Sequence, residues 1–227
     1  MKVEKKHDFK LKDIIMIGSL PDMGRVGGIV TQHISKHLPM ELAYKIIISD
    51  KPWINQKNGV ISLPKDEYSI FVNKENSLVV FTGNNQPQEP KTVFELTDKV
   101  ISSIQEMGNI KLVVSSGGYL PQEGEGGNNV YGIVTDEKLK TQLDQNDVKI
   151  LGNEVNSITW FNGLVLGKAK SLKIDGMGLF GEIVDTDTPQ FQAARNVIKK
   201  IEKLTGIKID TKELEEKIPK ESKSKEP

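Results

Sequence analysis

Short apolar runs rich in Val and Ile alternate along this chain with amphipathic stretches, and this feature restricts the possible fold most strongly. The alternation is typical of βα units arranged around a largely parallel sheet. We therefore expect an α/β fold. The predicted strands are Asp13–Ile17, Ala43–Ser49, Leu78–Thr82, Lys111–Ser115, Val130–Thr135 and Ile174–Phe180.

The amphipathic stretches predict helices, of which the last has the clearest boundaries. Thr188 can cap its free amide groups, and Pro189 can occupy its first turn, where the missing N–H costs nothing. Gly206 is expected to end it. The predicted helices are Val26–Leu38, Glu89–Met107, Glu137–Leu143, Phe161–Leu172 and Pro189–Leu204.

One segment between the second and third predicted strands interrupts the βα alternation. The run NGVISLPKDEYSIFVN contains two β-like stretches around a Pro-Lys-Asp turn. This pattern predicts an antiparallel hairpin.

The composition predicts one domain with two tails. The chain has 227 residues, and no linker-like composition interrupts it before about residue 210. We expect a flexible N-terminal tail at residues 1–8, a single domain at residues 9–210 and a charged, disordered tail at residues 211–227. Neither a signal peptide nor a membrane-spanning run is evident in the sequence, so we expect a cytoplasmic protein.

The charge balance and the lack of cysteine exclude several classes of function. The 31 basic residues equal the 31 acidic residues, so no overall positive field would attract nucleic acid or an anionic membrane. Cysteine is absent, which removes disulfides, cysteine metal ligands and thiol nucleophiles. We expect neither nucleic acid nor membrane as a partner.

The stretch GSLPDMGRVGG, from Gly18 to Gly28, joins the first predicted strand to the first predicted helix. A P-loop would need four residues between its glycines and then lysine, but five separate Gly18 from Gly24 and arginine follows. A dinucleotide-binding turn would need a first glycine pair one residue apart, which is missing. We favour glycines that let the helix pack tightly on the sheet, with weak anion binding as the alternative, and expect no cofactor.

His33 and His37 lie four residues apart on the first predicted helix, a spacing at which two imidazoles can bind one metal ion. The metalloprotease pattern places glutamate directly after the first histidine, where this chain has Ile34. Both histidines fall on the apolar arc of the helix. We favour a hydrogen-bonded pair in the core or at a subunit interface over a metal pair, and expect no metal site.

The sequence predicts no catalytic set. A Ser-Asp-His hydrolase on an α/β sheet needs a late histidine and a Gly-x-Ser-x-Gly turn. No histidine follows His37, and the serine pair of VVSSGGYLP lacks the leading glycine. Glu182, Asp185 and Asp187 precede the last predicted helix, where a capping role is favoured over magnesium binding.

Six further segments follow the glycine turn. They are TGNNQP (Thr82–Pro87), SSGGY (Ser115–Tyr119), VYGIVTDEKL (Val130–Leu139), ITWFNGLVLGKAK (Ile158–Lys170), GLFGEIVD (Gly178–Asp185) and AARNVIKKIEKLTGIKID (Ala193–Asp210). In this order and spacing they resemble the proteasome assembly chaperone family, in particular archaeal homologues of the second eukaryotic assembly chaperone. The resemblance extends from about Phe9 to Asp210.

The resemblance implies a three-layer α/β/α sandwich around a mostly parallel sheet, related to the purine nucleoside phosphorylase type. It also implies homo-oligomers and no established catalytic residues. Members of the family that act on the proteasome core dock through a C-terminal tripeptide of a hydrophobic residue, tyrosine and any residue. The last three residues here are Lys225, Glu226 and Pro227, so we expect partner binding without that tripeptide.

The leading hypothesis is a non-enzymatic, homo-oligomeric scaffold for partner proteins, such as proteasome α subunits or another chaperone. The fourth predicted helix is more apolar than one core-facing stripe requires, and such an excess suits a subunit interface. The predicted interface residues are Trp160, Phe161, Leu164 and Val165.

The alternative hypothesis is a nucleoside- or nucleotide-binding enzyme. In a parallel sheet of this kind, ligands bind at the C-terminal ends of the strands. The ligand-binding residues predicted under this alternative are Gly83, Asn84, Asn85, Gln86, Ser116, Gly117, Gly118 and Tyr119.

Overall fold

The computed structural model describes residues 1–121 and 127–219, and its centre is a nine-stranded sheet. In chain order the strands are β1 (Lys2–Lys5), β2 (Ile14–Gly18), β3 (Glu41–Ile48), β4 (Asn55–Lys57), β5 (Val60–Ser62), β6 (Asp66–Asn73), β7 (Leu78–Gly83), β8 (Ile110–Tyr119), β9 (Val130–Val134), β10 (Lys149–Ile150) and β11 (Asp175–Glu182). The α-helices are α1 (Val26–His37), α2 (Pro90–Gln105), α3 (Lys140–Gln145), α4 (Trp160–Ser171), α5 (Phe191–Thr205) and α6 (Lys212–Lys217). Short 3₁₀ turns at Met23–Arg25 and Glu137–Leu139 precede α1 and α3.

The central sheet is mixed. Its strand order is β1-β3-β6-β7-β2-β8-β11-β9-β10, and β7, β2, β8 and β11 run parallel in the middle. The pairs β1-β3, β3-β6, β6-β7 and β9-β11 are antiparallel, and β10 is parallel to β9. The α/β class is confirmed. The predicted parallel arrangement is found in the four central strands. The outer strands include antiparallel pairs, because short connections such as that between β6 and β7 can join only antiparallel strands.

Helices cover both faces of the sheet. Met16 of β2 belongs to the apolar cluster that includes α2 and α4, whereas the adjacent Ile17 belongs to the cluster that includes α1, α3, α5 and α6. Successive side chains of a strand point to opposite faces, so these two clusters are the two sides of a three-layer sandwich. Every residue of β7 is buried, as expected for a strand covered on both faces. No helix in the described ranges is long and apolar enough to span a membrane.

The last long helix, α5, ends where the sequence predicts but begins later. Gly206 ends it in the left-handed conformation, with φ of 74°. The predicted N-cap is wrong, because the Thr188 hydroxyl donates to Asp185 Oδ2 at 2.5 Å and Pro189 precedes the helix. Asp185 Oδ2 also accepts the Thr188 amide at 3.1 Å, so Thr188 closes a separate turn instead.

The predicted hairpin around Pro-Lys-Asp is wrong, because β5 pairs with the preceding β4 and not with β6. Strands β4 and β5 form a two-stranded sheet outside the central one, joined by Asn58 and Gly59. Both turn residues have left-handed φ values, 50° and 77°, which suit a two-residue hairpin turn. The Pro-Lys-Asp turn is wrong as the hairpin tip, because residues 66–73 form β6 of the central sheet.

Both predicted tails are partly structured. Residues 2–5 pair antiparallel with β3 as an edge strand, because unpaired backbone groups of β3 offer hydrogen bonds even to a charged segment. At the other end, Leu214 of α6 is buried and Arg195 Nη2 lies 2.8 Å from Glu215 Oε1. Regular secondary structure therefore occurs at Lys2–Lys5 within the predicted flexible N-terminal tail and at Lys212–Lys217 within the predicted disordered C-terminal tail. Residues 220–227, with Lys225 to Pro227, lie outside the described residues.

Candidate functional site

The C-terminal ends of β2, β7, β8 and β11 meet at one edge of the sheet because these strands run parallel. Helix α1 begins after β2 at this edge, and α4, which precedes β11, also begins there. In α/β proteins this edge is where ligands bind. We call this region the strand-end site.

Buried hydroxyl groups connect the strands at the strand-end site. Ser19 Oγ lies 2.9 Å from Ser116 Oγ and accepts the Ser116 amide at 2.7 Å. Thr31 of α1 donates to the Ser19 carbonyl at 3.1 Å, and its hydroxyl lies 3.0 Å from that of Thr82. These four side chains are buried and bonded to one another or to backbone. They hold the strand ends together and offer no free group to a ligand.

Asn162 of α4 closes the same network from the opposite layer. Its Oδ1 accepts the Leu20 amide at 2.8 Å, and its Nδ2 donates to the carbonyls of Leu20 and Ser116 at 3.0 and 3.1 Å. This buried side chain therefore satisfies three backbone groups of the β2 and β8 ends. It fixes the start of α4 against the sheet.

Asp22 occupies the anion position at the start of α1. Its Oδ1 accepts the Gly27 amide at 2.9 Å, and its Oδ2 accepts the Gly118 amide at 2.8 Å. Burial raises the pKa of Asp22 to about 7, and the two amide hydrogen bonds oppose part of this rise. A carboxylate thus lies where a phosphate would bind in a glycine-rich turn.

The glycines of the turn are required for close packing. A Cβ on Gly27 would lie 2.7 Å from the carbonyl oxygens of Leu20 and Ser116, and one on Gly28 would lie 2.7 Å from Pro21 Cγ. Gly24 has φ of 61°. The favoured interpretation of these glycines, a tight helix start on the sheet, matches the geometry.

A cavity of about 700 Å³ opens beside this network. Its lining includes Asp22, Met23, Gln86, Tyr119, Trp160 and Phe180. Trp160 is 42% exposed and has φ of 58°, an unusual conformation for a bulky residue at the start of a helix. The cavity is mainly apolar, with Asp22 as its acidic group.

The predicted ligand-binding residues do not share one cavity. Gly118 and Tyr119 line the cavity, Asn84 and Asn85 line a neighbouring groove near Arg25, and Gln86 lines both. Gly83, Ser116 and Gly117 line neither. Asn84 Oδ1 accepts a hydrogen bond from Gln32, and Asn85 Nδ2 donates to Asp66 Oδ1. The eight residues share an edge but do not point at one centre.

Two of the four residues of the predicted interface on α4 are buried within the single chain and cannot contact another copy. Phe161 and Val165 are fully buried in the cluster with α2, and Leu164 packs against that cluster. Trp160 remains exposed, but it faces the cavity mouth. The helix is unusually apolar because it lies between α2 and the sheet, so its excess apolar residues serve the core.

His33 and His37 form a stacked, hydrogen-bonded pair, with ring centroids 3.9 Å apart. His33 Nε2 lies 2.7 Å from the Asp210 carbonyl, and burial lowers the pKa of His33. His37 Nε2 lies 3.0 Å from Glu213 Oε2. Hydrogen bonds from Lys217 and Lys36 lower the pKa of Glu213 to about 2. The pair thus joins α1 to α6.

The acidic residues before α5 have separate roles. Asp185 accepts the amides of Asp187 and Thr188 and closes a turn, while Glu182 accepts the side-chain amide of Asn129 at 2.7 Å. Within the described part of the chain, the one cluster of histidine and acidic side chains close enough to share a metal ion is His33, His37 and Glu213.

The fold is that of archaeal proteins related to proteasome assembly. PbaB of Pyrococcus furiosus, described as an archaeal proteasome activator, matches with a TM-score of 0.80 at 25% identity, over 95% of this chain and 93% of that one. PbaA of the same organism, described as an archaeal homologue of proteasome-assembly chaperone, matches with a TM-score of 0.76 at 22% identity, over 95% and 91%.

The chain belongs to the PAC2 family, whose model matches residues 16–220. An uncharacterized protein of Methanocaldococcus jannaschii is 26% identical over 217 residues, which are 91% of this chain and 80% of that relative. These comparisons confirm the resemblance that the ordered segments indicate.

Three residues of the two sites were not found from the sequence. Asp22 lies within the glycine-rich turn, and an acidic residue ahead of a helix start is a signal that the sequence does offer. Asn162 is a lone polar residue at the start of an apolar helix. The sequence does not show which groups its side chain bonds. Glu213 lies far from the histidines in sequence, so only the fold brings it to them.

Proposed function

We propose that this chain is a non-enzymatic, assembly-chaperone-like protein that self-associates and binds proteasome core subunits. Membership of the PAC2 family and the fold shared with PbaB and PbaA support a chaperone-like role. The strand-end network supports the absence of catalysis, because its four hydroxyls and Asn162 bind one another or the backbone. Neither its hydroxyls nor Asn162 is free to act on a substrate.

An exposed apolar hairpin is the observation that carries the binding role. Trp53, Ile54, Val60, Ile61 and Leu63 lie in or beside β4 and β5 and are 47–71% exposed. A two-stranded hairpin is marginally stable on its own in water, and exposed apolar patches of this kind mark interaction surfaces. Burial of these side chains on a partner would order the hairpin and supply binding free energy.

The test compares two variants of matched exposure. Val60→Ser/Ile61→Ser removes two apolar side chains of the hairpin, and Val184→Ser removes one exposed apolar side chain elsewhere. We expect the hairpin variant to bind purified proteasome α subunits about tenfold more weakly or worse, and the Val184 variant to bind as the wild type does. Unchanged binding by the hairpin variant would contradict the proposed surface, and no binding by the wild type would contradict the proposed partner.

Light scattering of the full chain tests self-association separately. A monomeric wild type at the concentrations used for binding would overturn the homo-oligomer while leaving the partner measurement intact. The hairpin variant in the same instrument shows whether the hairpin also serves contacts between copies.

A second candidate function is supported by the cavity. An apolar cavity of about 700 Å³ with one partly buried acid and a strained aromatic residue, Trp160, has the character of a small-molecule site. Under this alternative an aromatic ring, such as that of a nucleoside, would stack on Trp160. Calorimetry with nucleosides is the test, and binding that Trp160→Ala abolishes would favour this alternative.

A further inference from the structure

A third polar side chain joins the two histidines of α1 at the surface of the sandwich. One ring nitrogen each of His33 and His37 and a carboxylate oxygen of Glu213 lie within 4.8 Å of one another. A cavity of about 210 Å³ adjoins them, lined in part by Ile29, Gln32 and Leu214. The cluster therefore combines three groups that bind metal with space for a water molecule.

The Nε2 atom of His37 faces a carboxylate oxygen of Glu213. His37 Nδ1 lies 3.0 Å from the carbonyl oxygen of His33, which can only accept, so Nδ1 carries a proton. In the neutral ring Nε2 then carries a lone pair, yet it lies 3.0 Å from Glu213 Oε2, also an acceptor. A divalent ion could bridge these two acceptor atoms.

The hydrogen bond of His33 follows the same rule. His33 Nε2 lies 2.7 Å from the carbonyl oxygen of Asp210, so this nitrogen donates its proton and the other nitrogen of the neutral ring is free to coordinate. A histidine that binds metal commonly donates its second ring nitrogen to a backbone carbonyl, which fixes the ring. Both histidines make such a hydrogen bond to a backbone carbonyl. His37 bonds the carbonyl of His33, and His33 bonds the carbonyl of Asp210.

We propose that His33, His37 and Glu213 form a binding site for a divalent transition-metal ion of the Zn²⁺ type. Two imidazoles and a carboxylate suit Zn²⁺, and water would complete a four-coordinate site. Tetrahedral coordination with bonds of about 2.0–2.1 Å places ligand atoms about 3.3 Å apart. The two imidazoles are stacked with an interplanar angle of 23°, so metal binding requires one ring to rotate out of the stack until both lone pairs meet at the ion. The bound ion would fasten α6 to α1.

Two lysines compete with the metal for the carboxylate. Lys36 Nζ lies 2.7 Å from Glu213 Oε2, the oxygen that faces His37, and Lys217 Nζ lies 2.8 Å from Oε1. An ion bound at Oε2 displaces Lys36 and leaves Lys217 in place. Removing the Lys36 charge should therefore strengthen metal binding, an effect that a purely structural histidine pair does not predict.

The experiment is calorimetric titration of the metal-stripped full chain with zinc chloride. We expect one Zn²⁺ per chain, with affinity reduced about tenfold or more by His37→Gln or Glu213→Gln and increased by Lys36→Gln. His7→Gln is the matched control, because His7 is the remaining histidine and bonds the distant Leu42 carbonyl. Circular dichroism of each variant confirms that it is folded.

Cobalt provides a second readout. Co²⁺ in the wild type should give the visible absorption of a nitrogen-and-oxygen site, and His37→Gln should remove it, while magnesium chloride should show no binding. The proposal is overturned if folded wild type binds less than stoichiometric zinc at saturation. It is also overturned if His37→Gln and Glu213→Gln bind zinc as tightly as the His7→Gln control.

Discussion

Asp22 is the residue that separates this chain from proteins whose glycine-rich turns bind phosphate. In such proteins the amides at a helix start are free to bind an anion. Here the amides of Gly27 and Gly118 are occupied by the carboxylate of the chain itself. The turn therefore has the local geometry of an anion site, while its anion is covalently part of the protein.

The raised pKa of Asp22 makes folding stability depend on pH. Because the folded-state pKa of about 7 exceeds the ordinary value of 3.8, the folded state binds a proton more tightly than the unfolded state between these values. The free energy of unfolding should therefore fall by at most about 1.4 kcal/mol per pH unit as pH rises from about 4 to about 7. Above about pH 7 it should level off.

Asp22→Asn tests this dependence. Asparagine cannot titrate and keeps one of the two amide hydrogen bonds, so the free energy of unfolding of the wild type relative to the variant should decline from pH 4.5 to pH 7. Urea unfolding at several pH values measures both proteins. A difference between them that is independent of pH would show that Asp22 does not titrate in this range.

The sequence predicts the role of the glycines better than their partners. Glycine spacing that fits no phosphate-binding template favours a packing role, and Gly27 and Gly28 do pack closely against neighbouring atoms. The close contacts of Gly27 with Leu20 and Ser116 depend on the relative positions of β2, β8 and α4. A local sequence pattern does not predict those positions. The same limit applies to the contact between His37 and Glu213.

At the scale of elements, helix α1 needs Gly27 in order to approach β8. A Cβ there would lie 2.7 Å from two carbonyl oxygens, so Gly27→Ala should lower the free energy of unfolding by about 1–3 kcal/mol. Gly167 of α4 is the matched control, since no atom lies within 4 Å of its added Cβ. Gly167→Ala should stabilise the protein by about 0.5–1 kcal/mol. Thermal or urea unfolding checks both, and equal effects would contradict the packing argument.

Helix α6 packs on the domain within the segment that the sequence predicts to be a charged tail. Its charged sequence contains one apolar residue, Leu214, that is buried against the α1 and α5 layer. Leu214→Ala should lower the free energy of unfolding by about 2–4 kcal/mol. Leu172→Ala, at an exposed helix end, should lower it by under about 1 kcal/mol. Chemical denaturation distinguishes them, and a Leu214 variant as stable as the wild type would restore the tail interpretation.

Sequence periodicity predicts the buried elements and misses those that depend on pairing. The parallel strands read as continuous apolar runs because helices cover both of their faces. Strand β1 and helix α6 are mostly charged, and each is ordered by contacts with a neighbour already in place, β3 in one case and α1 with α5 in the other. Local propensity does not encode such contacts.

At the scale of the whole molecule, the two faces of the sandwich meet at the strand-end site. Asn162 comes from the α2 and α4 layer, Thr31 comes from the opposite layer, and both bond to the ends of the central strands. Polar groups that would bind a ligand in an enzyme here connect the layers. The apolar hairpin lies outside this arrangement as a separate two-stranded sheet. The proposed binding surface is therefore separate from the polar groups that connect the layers.

The whole chain should bind neither ATP nor NAD. Asp22 occupies the Gly27 amide at the start of α1 and the Gly118 amide of β8, its negative charge when ionised repels phosphate, and the chain has no net positive charge to attract it. Calorimetry of the full chain with each nucleotide should show no saturable heat. A dissociation constant of about 10 μM or tighter, about −7 kcal/mol, would contradict this expectation. Such binding would also favour the enzyme alternative, because the nucleotide would have to displace Asp22 from the Gly27 and Gly118 amides.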